Sequence, residues 1–201
     1  MDNFVYLASQ SPRRRQLLEQ LGVRYELLLP DANEDAEALE VVLKNEAPAA
    51  YVKRVTRLKL DAAVARLKQR QLIVAPVLCA DTTVALGRII YGKPQNANDA
   101  ERMLGELSGQ THRVLTSIAL HSEQQFYEAL SSSQVSFEAM TNLQVSAYVA
   151  TGEPMGKAGA YAVQGRAAAY ISRINGSYSG IMGLPLWETA SMLEAAGIDL
   201  R

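Results

Sequence analysis

This sequence has few of the residues on which several common chemistries depend. A single cysteine, Cys79, excludes an internal disulfide and fits a reducing compartment. The two histidines, His112 and His121, are far apart, and the second is predicted at the polar tip of a hairpin. We therefore find almost no support for a histidine-based metal site or a Ser-His-Asp triad.

The chain also lacks an excess of charge and any long uninterrupted apolar run. Twenty Lys and Arg residues face 21 Asp and Glu residues, and the formal charge of −1 argues against a nonspecific nucleic-acid partner. The longest apolar stretch, 72–86, is interrupted by Pro76 and Asp81, so we expect no membrane span. No signal-peptide pattern precedes it. A cytoplasmic protein is the expectation.

What the sequence does have is a cationic turn early in the chain. A short apolar strand precedes Ser9, and a helix follows with Ser11 as N-cap and Pro12 at its first position. Three arginines crowd the first helical turn: Arg13, Arg14 and Arg15. Cations are disfavoured at this end of a helix dipole, so the pattern favours a bound polyphosphate. A solvated arginine-rich surface is the alternative.

Two further groups stand out by position. Lys59 lies on or beside the apolar stripe of a helix predicted over 48–70, where it either serves a site or extends to solvent. Asp81 follows a predicted buried strand, 72–80, and is a candidate metal ligand or general base, with a turn cap as the alternative. A tight turn at 92–94 displays Lys93.

The remaining pattern indicates one mixed α/β fold. Helices are predicted near 98–107, 142–150 and from 185, and a hairpin is predicted over 111–120 and 126–137. A glycine-rich run, 156–165, contains Gln164 and allows close approach of a ligand to the backbone. No repeat or linker divides the chain, so we expect a single domain over residues 1–201.

These groups together suggest metal-assisted hydrolysis of a nucleotide phosphate. The helix arginines, Lys59 and Lys93 suit a polyphosphate, whereas Glu34 and Asp81 offer hard oxygen ligands for Mg²⁺ or Mn²⁺. Most of the acidic segment 31–40, including Glu40, is interpreted as solvated loop.

Eight segments in order along the chain resemble the Maf family of nucleoside triphosphate pyrophosphatases. They are LASQSPRR at 7–14, ADT at 80–82, GKP at 92–94, LSGQTH at 107–112, KAGAY at 157–161, QG at 164–165, NGSY at 175–178 and GLP at 183–185. The resemblance implies a strongly twisted mixed sheet flanked by helices, with two lobes around a central cleft, similar to inosine triphosphate pyrophosphatases. It also implies a homodimer.

The resemblance also implies roles for individual residues. Asp81 would be the general base that activates water, directly or through a divalent metal, and Glu34 would help to bind metal or water. The triphosphate would be held by five side chains: Ser9, Arg13, Arg14, Lys59 and Lys93. Cleavage would fall between the α- and β-phosphates.

Substrate choice depends on two positions of the resemblance. Thr82 and Gln164 resemble the dTTP/UTP branch, whereas a 7-methyl-GTP branch tends to have glutamine and glutamate there. A glutamine amide donates and accepts, which matches a pyrimidine imide edge. Gly156 and Ala162 depart from the usual family residues. The alternatives are a 7-methyl-GTP pyrophosphatase and a non-catalytic nucleotide-binding regulator of septum formation.

Overall fold

A computed structural model describes residues 4–31, 34, 38–123 and 125–200. The strands are β1 (Phe4–Leu7), β2 (Arg24–Leu27), β3 (Val77–Leu86), β4 (Ile89–Tyr91), β5 (Thr111–Ser122), β6 (Gln125–Phe137) and β7 (Ile171–Asn175). The α-helices are α1 (Pro12–Gln20), α2 (Pro48–Gln69), α3 (Ala97–Leu107), α4 (Asn142–Val149), α5 (Tyr178–Met182) and α6 (Leu186–Ala195). Short 3₁₀ helices cover Ala38–Glu40, Ala158–Ala160 and Arg166–Tyr170.

The strands of the described residues form one mixed sheet in the order β2-β1-β3-β5-β6-β7, with β4 attached to β3. β1 runs parallel to both β2 and β3, and the pairs from β3 through β7 are antiparallel. Helices pack against the sheet, and the predicted mixed α/β class is confirmed.

An interruption in the pairing of β3 creates the space for a site. On one edge β1 pairs with residues 77–78 and β4 pairs with residues 84–86. Between them no strand of the described residues pairs with 79–83 on that edge, while β5 covers the opposite edge along 77–85. Asp81 lies in the middle of this gap, close to where β1 ends and α1 begins.

The period of two along β3 sorts its side chains between two faces. Cys79 packs with Leu60 and Ala63 of α2, so Asp81 points toward that helix. Leu78 and Ala80 pack in the core that includes α1 and α6, so Thr82 points the other way. The sheet therefore presents a carboxylate on one face and a hydroxyl on the other at adjacent positions.

The predicted strand over 72–80 was wrong in its bounds, because β3 begins at Val77 and continues through Asp81 to Leu86. Ile73 and Val74 are 75% and 80% exposed. Proline has no N–H to donate to a strand ladder, so Pro76 precludes regular pairing where the prediction began the strand. His121 is also not in a turn, because it pairs with Phe126 within the hairpin.

Helix α5 was not predicted, and a 3₁₀ helix over 166–170 leads directly into β7. Within the described ranges, no helix combines the length and apolar character needed to cross a membrane.

Candidate active site

A cavity of about 890 Å³ opens at the gap beside β3. Its lining comes from the 8–14 turn, from α2, from Ala80 and residues 82–84 of β3, and from the segments 156–164 and 181–183. This volume is within the range of sites that hold nucleotide-sized ligands. The cavity therefore gathers the predicted groups from distant parts of the chain.

Lys59 lies on the charged side of the cavity and joins it to Asp81, whose side chain is 10% exposed and is not part of the lining. Lys59 Nζ donates to Asp81 Oδ1 at 2.6 Å and to Glu40 Oε1 at 2.7 Å. Lys93 Nζ donates to the same Glu40 oxygen at 3.1 Å. The other oxygen of each carboxylate has no hydrogen bond to any residue that the structure describes. Lys59 therefore lies in the site and does not simply extend to solvent.

The charges in this cluster stabilise one another against desolvation. Burial alone would lower the pKa of Lys59, but the charges of Asp81 and Glu40 outweigh it and raise that pKa. Burial alone would likewise raise the pKa of Glu40, and the two lysines reverse the effect and lower it. Lys59 and Glu40 are therefore both ionised at neutral pH.

Arg14 is held entirely by neutral oxygens. Its Nε donates to the Gly183 carbonyl at 2.8 Å, Nη1 donates to Ser9 Oγ at 3.1 Å, and Nη2 donates to Thr82 Oγ1 at 3.4 Å. No carboxylate of the described residues forms an ion pair with it. A fixed guanidinium without a counter-charge is suited to binding an anion.

Ser9 links this arginine to the start of α1. Its Oγ accepts from the Ser11 N–H at 3.2 Å as well as from Arg14, which leaves the Ser9 hydroxyl hydrogen available to a ligand. Ser11 is the N-cap, as predicted, but its side chain makes no capping bond.

Arg13 and Lys157 are a second pair of cations in the cavity lining. Burial lowers the pKa of Arg13, and no described residue makes a hydrogen bond or ion pair with its guanidinium. Lys157 Nζ donates to the Glu153 carbonyl at 2.6 Å, and burial followed by the charge of Arg13 lowers its pKa. Arg13 and Lys157 therefore carry positive charge that no carboxylate of the described residues pairs with directly.

Glu34 lines the cavity but is not brought to Asp81. Arg66 donates to both of its carboxylate oxygens, with Nε to Oε1 at 2.8 Å. The hydrogen bonding by Arg66 is the largest of the causes that lower the pKa of Glu34 to about 2. Glu40 was interpreted from the sequence as solvated loop. It is instead the carboxylate linked to Asp81, because both accept a hydrogen bond from Lys59. Nothing in the local sequence distinguishes it within the acidic segment.

The uncharged side of the cavity is aromatic and aliphatic. Tyr161 is buried, and its hydroxyl hydrogen-bonds His112 Nε2 at 2.8 Å, while Phe137 packs edge-on against both rings. Burial lowers the pKa of His112 to about 4, so its imidazole is neutral at pH 7. Aliphatic residues complete this side: Val84, Val114, Val163 and Ile181. Gln164 is exposed on the wall beside them. Sequence reasoning gave His112 no role.

Gly159 sets how closely the 156–164 segment approaches β3. Its φ is +68°, its N–H donates to the Gly92 carbonyl at 3.0 Å, and an added Cβ would lie 2.8 Å from Val84 Cγ2.

We expect Gly159→Ala to lower the free energy of unfolding by about 2–4 kcal/mol, from backbone strain plus overpacking. Gly156 is the matched control, because its φ is +72° and an added Cβ meets nothing within 4 Å.

Urea unfolding of both variants separates the two contributions. Gly156→Ala should lose only about 1 kcal/mol, the cost of strain alone. Equal losses in the two variants would show that the contact with Val84 does not matter.

The donor set at Asp81 fits a divalent cation that is shared with a polyphosphate. No group of three or more His, Cys, Asp or Glu side chains with metal-binding geometry occurs among the described residues. Asp81 and Glu40 nevertheless converge on one cation, the Lys59 ammonium, and each keeps one free oxygen. Mg²⁺ is commonly held by one or two carboxylates together with substrate phosphates, and two converging carboxylates satisfy that requirement.

Comparison with known proteins identifies the family of the chain. The family model described as "Maf-like protein" matches residues 4–196. A dTTP/UTP pyrophosphatase of Albidiferax ferrireducens is 68% identical over 200 residues and covers 100% of both chains. Proteins with the same name from Polaromonas sp. and Cupriavidus metallidurans are 68% and 58% identical, each over 198 residues, and cover at least 98% of both chains.

Among solved structures, the Staphylococcus aureus Ham1 protein aligns at 12% identity with a TM-score of 0.42, covering 66% of this chain and 71% of that one. The family match, by contrast, runs from the first described strand to the end of the last helix. With relatives of this identity along the whole length, the chain belongs to the Maf-like proteins.

Proposed function

We propose that this chain hydrolyses dTTP and UTP to the nucleoside monophosphate and pyrophosphate. The observation that carries the proposal is the polarity of the cavity, which has a charged side of arginines, lysines and Glu40, joined through Lys59 to Asp81, and an uncharged side of aromatic and aliphatic groups. A triphosphate suits the first side and a planar base the second. The relatives that carry this name are 58–68% identical to the chain.

Different side chains have different roles in the proposed hydrolysis. Arg13, Arg14 and Lys93 hold the phosphates and neutralise their charge, which is the largest requirement of phosphoryl transfer. Asp81 accepts a proton from the water that attacks the α-phosphorus, and pyrophosphate leaves. Lys59 orients Asp81 through its hydrogen bond until the water is bound.

The proposed cofactor is Mg²⁺ or Mn²⁺. Asp81 and Glu40 would hold it together with phosphate oxygens, and when bound it would supply further neutralisation of phosphate charge. The role predicted for Glu34 in binding metal or water stays a prediction, and it requires release of that carboxylate from Arg66.

Pyrophosphate release from a nucleotide panel tests the function. The panel holds dTTP, UTP, CTP, ATP, GTP and 7-methyl-GTP, each with MgCl₂ or MnCl₂ and with EDTA as the metal-free control. We expect the highest kcat/KM with dTTP and UTP. A preference for 7-methyl-GTP would favour the other family activity, and no release from any triphosphate would favour a nucleotide-binding regulator.

Gln164 is proposed to select the base. We expect Gln164→Glu to lower kcat/KM for dTTP about tenfold, because a carboxylate cannot donate to a pyrimidine carbonyl and repels an acceptor edge. Parallel kinetics with dTTP and 7-methyl-GTP check this expectation. Gln144→Glu, in the capping box of α4, is the control for the charge change alone. An equal loss for both nucleotides would contradict a role in base selection.

The assembly is proposed from the family resemblance, and the location from the composition of the sequence. A homodimer is expected, and light scattering during gel filtration would measure its mass directly. A cytoplasmic location is expected as well, and fractionation of cells that express the chain would test it.

A further inference from the structure

A row of two hydroxyl groups connects Arg14 to the Gly180 carbonyl of α5. Arg14 Nη2 donates to Thr82 Oγ1 at 3.4 Å, and Thr82 Oγ1 lies 2.9 Å from Thr116 Oγ1. Thr116 in turn donates to the Gly180 carbonyl at 2.7 Å. Thr82 and Thr116 are direct cross-strand partners in β3 and β5, so the row is built into the register of the sheet.

The direction of each hydrogen bond follows from the number of protons. Thr116 has one hydroxyl hydrogen, which goes to the Gly180 carbonyl because a carbonyl can only accept. The Thr82 hydroxyl must therefore donate to Thr116, and its oxygen presents lone pairs to Arg14. Thr82 consequently has no hydrogen left to donate to a substrate.

The end of the row at Gly180 is also connected to Arg14, through Gly183. Gly180 and Gly183 close the C-terminal turn of α5, where the Gly183 N–H donates to the Gly180 carbonyl at 3.0 Å. The Gly183 carbonyl accepts from Arg14 Nε at 2.8 Å. The guanidinium is thus held on two sides by one closed network, within which Thr116 is 1% exposed.

We propose that Thr116 is a positioning residue that fixes the plane of the Arg14 guanidinium for the triphosphate. The inference rests on the proposed function and extends it to a residue behind the cavity wall, absent from its lining. Without the Thr116 hydroxyl, the Thr82 hydroxyl is free to turn its hydrogen toward Arg14. The arginine then loses an acceptor, whereas its charge remains.

The first test compares Thr116→Val with Thr116→Ser. Valine keeps the shape and removes the hydroxyl, so we expect KM for dTTP to rise about 3- to 10-fold with kcat nearly unchanged. Serine keeps the hydroxyl and should restore KM. Thr189→Val is the matched control, because Thr189 is fully buried and donates to the Pro185 carbonyl at 2.7 Å without joining the row. Its KM should equal that of the wild type.

A double-mutant cycle shows whether the effect passes through Arg14. In an Arg14→Ala background, Thr116→Val should change KM by less than twofold. An undiminished effect in that background, or a wild-type KM in Thr116→Val itself, would overturn the proposal. If Thr116→Val does not fold, Thr82→Val breaks the same row, and it must raise KM similarly.

Calorimetric binding of α,β-methylene-dTTP separates this proposal from the proposed hydrolysis. Weaker binding to Thr116→Val than to wild type supports the positioning role even if dTTP is not turned over. Equal binding of the analogue to both proteins would overturn the positioning role, whereas dTTP hydrolysis by the wild type would still stand.

Discussion

Replacing Asp81 by asparagine should lower kcat for dTTP by about 10²- to 10⁴-fold while leaving the protein folded. Asparagine keeps the shape of the side chain but cannot take a proton from water. The fold should persist because Lys59 retains an ion pair with Glu40 at 2.7 Å after the carboxylate at position 81 is gone. The substitution therefore removes the base without leaving a buried ammonium group unpaired.

Steady-state kinetics together with the urea midpoint check both parts of this prediction. Asp61→Asn is the control, because Asp61 is an exposed partner of Arg57 on α2 and points away from the cavity. It should keep wild-type kcat. A kcat within threefold of wild type in Asp81→Asn would show that Asp81 is not the base.

Replacing Lys59 by methionine should give the second large effect, on both stability and activity. Asp81 then loses its ion-pair partner in a buried position, whereas Glu40 keeps Lys93 at 3.1 Å. Breaking a buried pair by removing one partner costs about 3–5 kcal/mol, and loss of a preorganised cation at a phosphate costs about 10²-fold in kcat/KM.

The destabilisation by Lys59→Met should depend on pH. In the wild type the pKa of Glu40 is lowered, so its stabilising contribution is present above its unfolded pKa and is lost as pH falls through the folded value. In the variant Glu40 keeps only Lys93, so its pKa is lowered less and this pH-dependent contribution is smaller. The difference in unfolding free energy between the two proteins should therefore be larger at pH 8 than at pH 4.

Urea unfolding at both pH values measures this difference. Lys53→Met is the matched control on α2, where an exposed pair with Glu128 contributes at most about 1 kcal/mol. A destabilisation by Lys59→Met that does not change with pH would indicate lost packing instead of unpaired charge.

Some parts of the site could be predicted from local sequence patterns. The arginine-rich start of α1 was predicted because a Ser-x-Ser-Pro cap fixes where the helix begins. Lys59 was noticed because helical spacing places it beside the apolar stripe of α2, and its contact with Asp81 explains that placement. Asp81 was noticed because a carboxylate interrupts an apolar run, although it lies inside β3 and not at a strand end.

The remaining parts depend on contacts between distant residues. Glu40 reaches Lys93 across 53 positions of sequence, and Glu34 reaches Arg66 across 32, so the choice between these carboxylates requires the folded chain. The Thr82–Thr116 pair depends on strand register, which approximate alternation does not fix. Local pattern therefore indicated the chemistry of the cavity but not the network that orients it.

The most direct test of the proposed mechanism is hydrolysis of dTTP in H₂¹⁸O, followed by mass spectrometry of both products. If water held at Asp81 attacks the α-phosphorus, one ¹⁸O atom appears in dTMP and the pyrophosphate is unlabelled. Label in pyrophosphate, or release of inorganic phosphate with dTDP, would contradict the proposed mechanism, because either result places the attack on another phosphorus.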